Sequence, residues 1–440
     1  MIKRILFSIL LILLWLNNSF AVVNIYYSVG QDNTTDNKTG SPTLTVASGV
    51  ATLTVAQTGN IGVGDRVTYD TSKIAYISGK TSTTVWTLVT ATGATPTNEA
   101  VAVTVNSIKR EYASLSAAES GSTDASHLNT VSLVTADAIL NWPCYYDNAA
   151  DTTTVTVDGY TTSATQYIKI YTPTNTSTEA NTSQRHIGVY NTSKYRIETV
   201  NNAIPLIIKD GHVRVDGLQF YLQSSNAVNP RILLFYEASS VIVAQYYLTN
   251  NIIRGHTNST QTGVQGLQFY DTGGAGSTAY IYNNLIYSFA TSGETTEKLF
   301  QIFDSNFTFY IYNNTVRDSG STGIDAASVG ILKNNLFANN AGSDVSGTVD
   351  NSSNYNATDS ASIGYTCTCG ANDRLSQTFT FISGSNFHLS SADVGARNFG
   401  TDLSGTFTTD IDGQTRSGTW DIGMDEVLSG FMRFNFEEWE

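Results

Sequence analysis

The chain has 440 residues, 37 acidic against 23 basic, a formal charge of −14 and only 14% charged residues. That balance argues against nucleic acid and against an anionic membrane surface as partners. The five histidines are scattered without zinc-ligand spacing. Of the three cysteines, Cys367 and Cys369 stand too close in sequence for an easy disulfide, and Cys144 has no obvious partner.

The chain opens with Lys3 and Arg4, an apolar run from Ile5 to Leu16, and the small residues Ser19 and Ala21. This is the pattern of a signal peptide over 1–21. The apolar run is short for a bilayer span and no later stretch is longer. A secreted or cell-surface protein is expected, with no membrane insertion after cleavage. Without Lys3 and Arg4, 21 basic residues face 37 acidic ones, a formal charge of −16. Residues 22–42 read as a first strand (22–29) and a polar loop. Residues 43–108 hold six short β-rich runs punctuated by Gly59, Gly62, Gly64, Gly79 and Gly93. They predict a small inserted barrel or sandwich. Residues 109–129 contain the best helical stretch, 112–119, predicted as a capping helix with its linker. Strand signals recur over 130–405, and 406–440 is expected to be a C-terminal capping segment.

One phrase recurs in the long middle region. Residues 280–284 and 310–314 both read Tyr-Ile-Tyr-Asn-Asn; looser copies lie at 247–255 and 331–339, and 213–220 puts Asp-Gly in place of Asn-Asn. Asn, Asp and Gly enter the left-handed region at low cost, so each copy predicts strand, bend, strand. The bends at 216, 250, 283, 313 and 334 are separated by 34, 33, 30 and 21 residues. Steps of that size mean stacked coils. Stacking places equivalent asparagines about 4.8 Å apart, close enough for a ladder of side-chain amides.

The Asn-Asn bends, a third apolar strand in each step and a helix before the first regular coil resemble the right-handed parallel β-helix of the pectate-lyase-like superfold. The closing Asp410-Ile-Asp-Gly-Gln-Thr-Arg416 and Asp421-Ile-Gly-Met-Asp-Glu426 resemble the terminal segment called choice-of-anchor Q. The resemblance implies an all-β solenoid with a small β module inserted near its N-terminus. That superfold hosts lyases, hydrolases, adhesins and phage tail proteins, so chemistry does not follow from fold. The chain has no Asp-Asp pair, no Gly-His-Gly and no Arg-x-Lys of the polygalacturonase pattern. No catalytic residue transfers.

Apolar alternation registers the third strand of each coil: 206–210, 233–237, 267–271 and 300–304. Inward positions are Leu206/Ile208, Leu233/Phe235, Leu267/Phe269 and Phe300/Ile302. Outward positions form one column of Ile207, Leu234, Gln268 and Gln301, and a second of Lys209, Tyr236, Tyr270 and Phe303. A third column, at the strand ends, holds Asp210, Glu237, Asp271 and Asp304, and the next coil (324–328) ends it with Ser328. Stacked carboxylates raise each other's pKa unless a cation or turn amides compensate. Asp210, Glu237 and Asp271 are candidate ligands for Ca²⁺, as acidic clusters are in pectate-lyase-like enzymes. Glu237, Asp271 and Asp304 are candidate acid, base or nucleophile on a glycosidic bond. Neighbouring coils, about 5 Å apart, fall near the retaining separation, and alternate coils at about 10 Å reach or slightly exceed the inverting range. Tyr236, Tyr270, Gln268 and Gln301 are candidate substrate-binding residues, the rings packing on sugar C–H surfaces. A structural alternative is that each acid caps a turn, since small or turn-prone residues follow every one. His212, Arg214, Arg254 and His256 are basic residues near the acids, suited to a lyase base or to surface ion pairs. The resulting expectation is a secreted β-helix that binds a polysaccharide or cell-surface glycan along one face. Cleavage, as a polysaccharide lyase or glycoside hydrolase, stays open. The alternative is a non-catalytic adhesin or matrix protein.

Overall fold

The computed structural model describes residues 22–201, 203–223, 230–236, 243–255, 263–270, 274–289, 297–303, 307–326 and 330–427. Three parallel sheets wrap one continuous core, so the long region is a parallel β-helix. The first sheet has eight strands, from Val23–Tyr26 through Ala138–Pro143 to Gly330–Lys333. The second has seven, from Arg196–Val200 to Ala357–Thr358, and the third has seven, from Val155–Val157 to Val345–Gly347.

Six antiparallel strands, Thr43–Ala47, Val50–Leu53, Arg66–Tyr69, Lys73–Lys80, Val85–Val89 and Glu99–Lys109, close into the expected small barrel. It has its own core around Trp86, Leu88, Val46 and Ile108. The strand before it, Val23–Tyr26, pairs in parallel with Ala138–Pro143 beyond it, so the barrel interrupts the first sheet between two neighbouring strands. A helix follows at Leu115–Gly121, three residues later than predicted, because Ser114 caps it by accepting from the Ala117 N–H. Leu115 and Ala118 join the main core. Leu115 N–H donates to Asp151 Oδ2 at 2.8 Å, tying the helix start to the first coils.

The bends behave as the sequence requires, with one shift. Asn250, Asn283, Asn313 and Asn334 have φ of 56°, 56°, 49° and 57°. In the Asp-Gly copy it is Gly217, at φ 76°, that takes this place, one residue later than aligned, because Asp216 pairs with Thr249. The second asparagine of each pair faces the interior and builds the ladder. Asn251, Asn284, Asn314 and Asn335 each donate Nδ2 to the Oδ1 of the next rung, at 3.1, 2.9, 3.0 and 3.0 Å. The last of these rungs is Asn356, which the repeated phrase does not mark; Asp373 then accepts the Asn356 backbone N–H at 2.8 Å and ends the series.

Two cysteines correct the sequence reading. Cys367 and Cys369 form a disulfide, with Cα atoms 5.2 Å apart. That spacing is ordinary for a disulfide, so one intervening residue suffices here. Cys144 is free and buried.

Buried Asp344 gives the coil a pH dependence. It accepts from Asn340 Nδ2 at 2.8 Å and from the Thr358 hydroxyl. Burial pushes its carboxyl up to about 6, against these two hydrogen bonds. The folded state therefore keeps a proton that the unfolded chain releases near its ordinary 3.8. The stability from this group is fully present below that value and is lost as pH rises through about 6. Asp344→Asn is expected to stabilise the protein by about 2 kcal/mol near neutral pH and to flatten the decline. Thermal melts from acid to neutral pH check this; an unchanged slope would refute it.

Candidate functional site

The third-sheet register follows the sequence alignment. Leu206, Leu233, Leu267 and Phe300 pair in turn, as do Ile208, Phe235, Phe269 and Ile302, and all are buried. Alternation then puts the intervening residues on the other face.

The aromatic column is formed and open. Tyr270 is 46% and Phe303 49% exposed. Tyr236 and Tyr270 lie nearly parallel with centroids 5.8 Å apart, and Phe303 stands at 83° to Tyr270 at 5.4 Å. The tyrosines of the first sheet are different. Tyr247, Tyr280 and Tyr310 stack at 4.7 Å, the strand spacing itself, and use their faces on one another. Those rings reinforce the sheet, whereas the looser column of the third sheet keeps ring surface for solvent or ligand.

The glutamine column is not open. Gln268 and Gln301 are 1% and 3% exposed. Gln268 Nε2 donates to Gln301 Oε1 at 2.8 Å, a rung between coils, while Gln268 Oε1 has no hydrogen-bond partner among the described residues. The same register carries Asp325 beside Gln301 and Ser346 beside Asp325. Ser346 Oγ donates to Asp325 at 2.7 Å, and the Lys298 ammonium pairs with the same carboxylate. Burial pushes the Asp325 carboxyl up, but hydrogen bonds from Lys298 and Ser346 outweigh it and hold the group below the usual range. Asp325 is thus an ionised carboxylate on this face that the end-of-strand column overlooked. Its alignment beside Gln301 was readable from Ile324 and Ala326.

Of the acidic column, Glu237, Asp271 and Asp304 lie outside the described residues. Asp210 is described and 8% exposed. Its two oxygens accept the backbone N–H groups of Gly159 at 2.9 Å and Tyr160 at 3.0 Å. It caps the turn of the preceding coil. Burial raises its carboxyl to about 6, partly offset by those two N–H groups. Both oxygens are therefore already engaged within the chain, which leaves Asp210 a poor fit to a Ca²⁺ site.

The basic residues are engaged elsewhere. The Arg214 guanidinium sits between the rings of Tyr167 (3.6 Å) and Tyr247 (4.7 Å), and Arg254 between Tyr190 (4.9 Å) and Tyr221 (4.8 Å). His212 is in the left-handed region at φ 57°. His256 lies outside the described residues.

The described part of 406–440 runs along the flank of the coils. Asn283 Nδ2 donates to the Thr409 carbonyl at 2.7 Å, Asn313 Nδ2 to the carbonyls of Asp421 and Gly423 at 3.0 and 3.1 Å, and Asn334 Nδ2 to that of Thr401 at 2.8 Å. The first asparagine of the last three pairs thus anchors the C-terminal stretch, whereas Asn250 Nδ2 donates to Asp216 Oδ1 at 2.8 Å. Phe387, Ile411 and Met424 pack there against Ile252, Leu285 and Tyr287. His388, which precedes this segment, and Asp412 and Asp425 within it bring ligand atoms within 4.8 Å of one another, a set able to hold a divalent cation. Buried Arg416 supplies a positive charge to the neighbouring acids Asp410, Asp421, Asp425 and Glu426.

Comparison of the chain with protein-family models, with curated proteins and with solved structures finds no match.

Proposed function

We propose that this is a secreted, pectate-lyase-like β-helix protein, closed by a choice-of-anchor Q-like segment, that binds a polysaccharide along its third-sheet face. The observation that carries this reading is the pair of half-exposed rings, Tyr270 and Phe303, beside a column of amides and the Asp325–Lys298 ion pair. Large rings left open on a sheet face are costly to keep in water and are what sugar C–H faces pack against. Sugar hydroxyls would meet the polar edge formed by Asp325, Ser346 and Lys298.

Affinity electrophoresis of the mature protein on acidic and neutral glycans, with and without Ca²⁺, tests binding. Tyr270→Ala with Phe303→Ala is expected to weaken it by about 0.5–1.5 kcal/mol per ring, roughly 5- to 150-fold together. If no glycan retards the wild-type protein, the carbohydrate reading fails.

Binding without cleavage is the second reading, that of an adhesin or matrix component. It is favoured by the state of Asp325, which is tied to Lys298 and Ser346 rather than poised for proton transfer. Catalysis would rest on Glu237, Asp271 and Asp304. Released product that disappears in Glu237→Gln and Asp271→Asn would establish cleavage; product unchanged in both would remove these residues from the chemistry.

A further inference from the structure

The barrel and the first coils meet around a cleft of about 360 Å³. Four separate stretches of chain wall it: the linker at Asp32 and Asn37, the barrel loop at Asn60, the coil at Tyr146–Asn148, and the loop spanning 182–194. Its volume falls in the range of small-ligand sites.

The walls are held in place by buried polar links between the two modules. Arg110, just past the last barrel strand, has no exposed side chain. Its Nη1 donates to both oxygens of Asp65 in the barrel at 2.8 and 2.9 Å, and its Nη2 to Asp147 of the β-helix at 3.0 Å. The guanidinium also lies 3.8 Å from the centre of the Tyr145 ring. Gln184 makes a second link, accepting from Tyr146 N–H at 3.0 Å and donating to Asn60 Oδ1 at 2.8 Å. A site fixed this way is organised before any ligand arrives.

The lining is polar, and its charged groups are already engaged within the protein. Arg110 shares its one positive charge between Asp65 and Asp147, and the remaining charges are one acid, Asp32, and one base, Lys194. The Lys194 ammonium already donates to the Ser183 carbonyl at 2.6 Å, and Asp32 accepts from Thr34 and Thr35. By contrast the half-buried Asn37 and the exposed Asn148 line the cleft with carboxamides open to a ligand. Each offers two donors and one acceptor oxygen. The half-buried Tyr146 adds an aromatic surface beside them.

Paired amide donors and acceptors next to one ring suit vicinal hydroxyls and a C–H face. An anion would meet excess acid, and a cation would find the Asp32 and Asp147 carboxylates already engaged by Thr34, Thr35 and Arg110. We propose that this cleft is a second carbohydrate site, for a short uncharged saccharide, and that the inserted barrel exists to form one of its walls. The site shares no residue with the third-sheet face and is independent of it.

Calorimetric titration of the mature protein with cellotetraose, xylotetraose and mannotetraose tests this. At least one is expected to bind, with an affinity insensitive to added salt because no charge pairs form. Ser193→Trp, at an exposed position on the rim, is expected to fill the cleft and weaken binding at least tenfold. Asn37→Ala is expected to weaken it about tenfold without a bulky side chain. Both variants should melt as the wild type does, and Tyr270→Ala should bind the tetraose normally. If none of the three tetraoses binds, or if Ser193→Trp and Asn37→Ala bind as well as wild type, the proposal is overturned. Loss confined to Tyr270→Ala would also overturn it, placing the ligand on the third sheet.

Discussion

Asn314→Leu is expected to destabilise the β-helix by about 3–5 kcal/mol, although leucine is close in size and more apolar. Asn314 is 1% exposed, and its side chain makes four hydrogen bonds within the ladder. Its Nδ2 donates to the Ile281 carbonyl at 2.9 Å and to Asn335 Oδ1 at 3.0 Å, and its Oδ1 accepts the Asn284 backbone N–H at 3.0 Å and Asn284 Nδ2 at 2.9 Å. Leucine would leave the Asn284 N–H buried with no acceptor, and each such orphan costs about 1–3 kcal/mol. The neighbouring rungs also polarise one another, so the loss exceeds that of one isolated pair. Denaturant unfolding followed by circular dichroism measures it. A loss below about 1 kcal/mol would mean that packing of the coils, not the ladder, holds the bends.

The second large effect is expected at Arg416, which is 4% exposed. Its guanidinium donates to Glu426 Oε2 at 3.3 Å, to Asn283 Oδ1 at 3.0 Å, and to the Gly423 and Met424 carbonyls at 3.0 and 2.9 Å. It therefore holds the C-terminal segment together and fastens it to a bend of the coil. Burial and the neighbouring Asp412 push the Asp410 carboxyl up to about 7, and burial pushes Asp421 to about 7. Arg416 acts against this as the buried counter-charge. Arg416→Met leaves these acids buried and unpaired, a loss of about 3–5 kcal/mol. The defect should appear first as proteolysis within 387–427, with the ladder coils still intact, because few covalent constraints tie that segment down. Its severity should fall in mild acid, where the acids protonate. Wild-type resistance to proteolysis in Arg416→Met would show that the apolar contacts of Phe387, Ile411 and Met424 suffice.

Elements that repeat locally were legible without coordinates. The Asn and Gly bends, the six barrel strands and the pairing of Leu206, Leu233, Leu267 and Phe300 all follow from turn chemistry and alternation over a few residues. The site was legible only in part. Tyr270 and Phe303 emerge exposed, as their alternation implies, but Gln268 and Gln301 occupy equally outward positions and are buried. Alternation gives the face on which a side chain stands; what later covers that face is not written in the strand. The ladder also runs on to Asn356 through Asn354-Tyr355-Asn356, where Tyr355 takes the left-handed bend at φ 62° and the repeated phrase no longer marks it.

By itself the sequence determined a stacked all-β solenoid with a barrel inserted near its start, because periodic hydrophobicity and left-handed bends act over short distances. Tertiary structure alone decided the rest. It laid the C-terminal segment on the first asparagines of the later bends, through contacts between residues more than a hundred positions apart, such as Asn283 with Thr409 and Asn313 with Gly423. It also brought Asn60 of the barrel to Gln184 of the coils, 124 residues away, and so created a cleft at the junction. Hydrogen bonds at such separations depend on how whole modules dock, and no local pattern of residues encodes that docking.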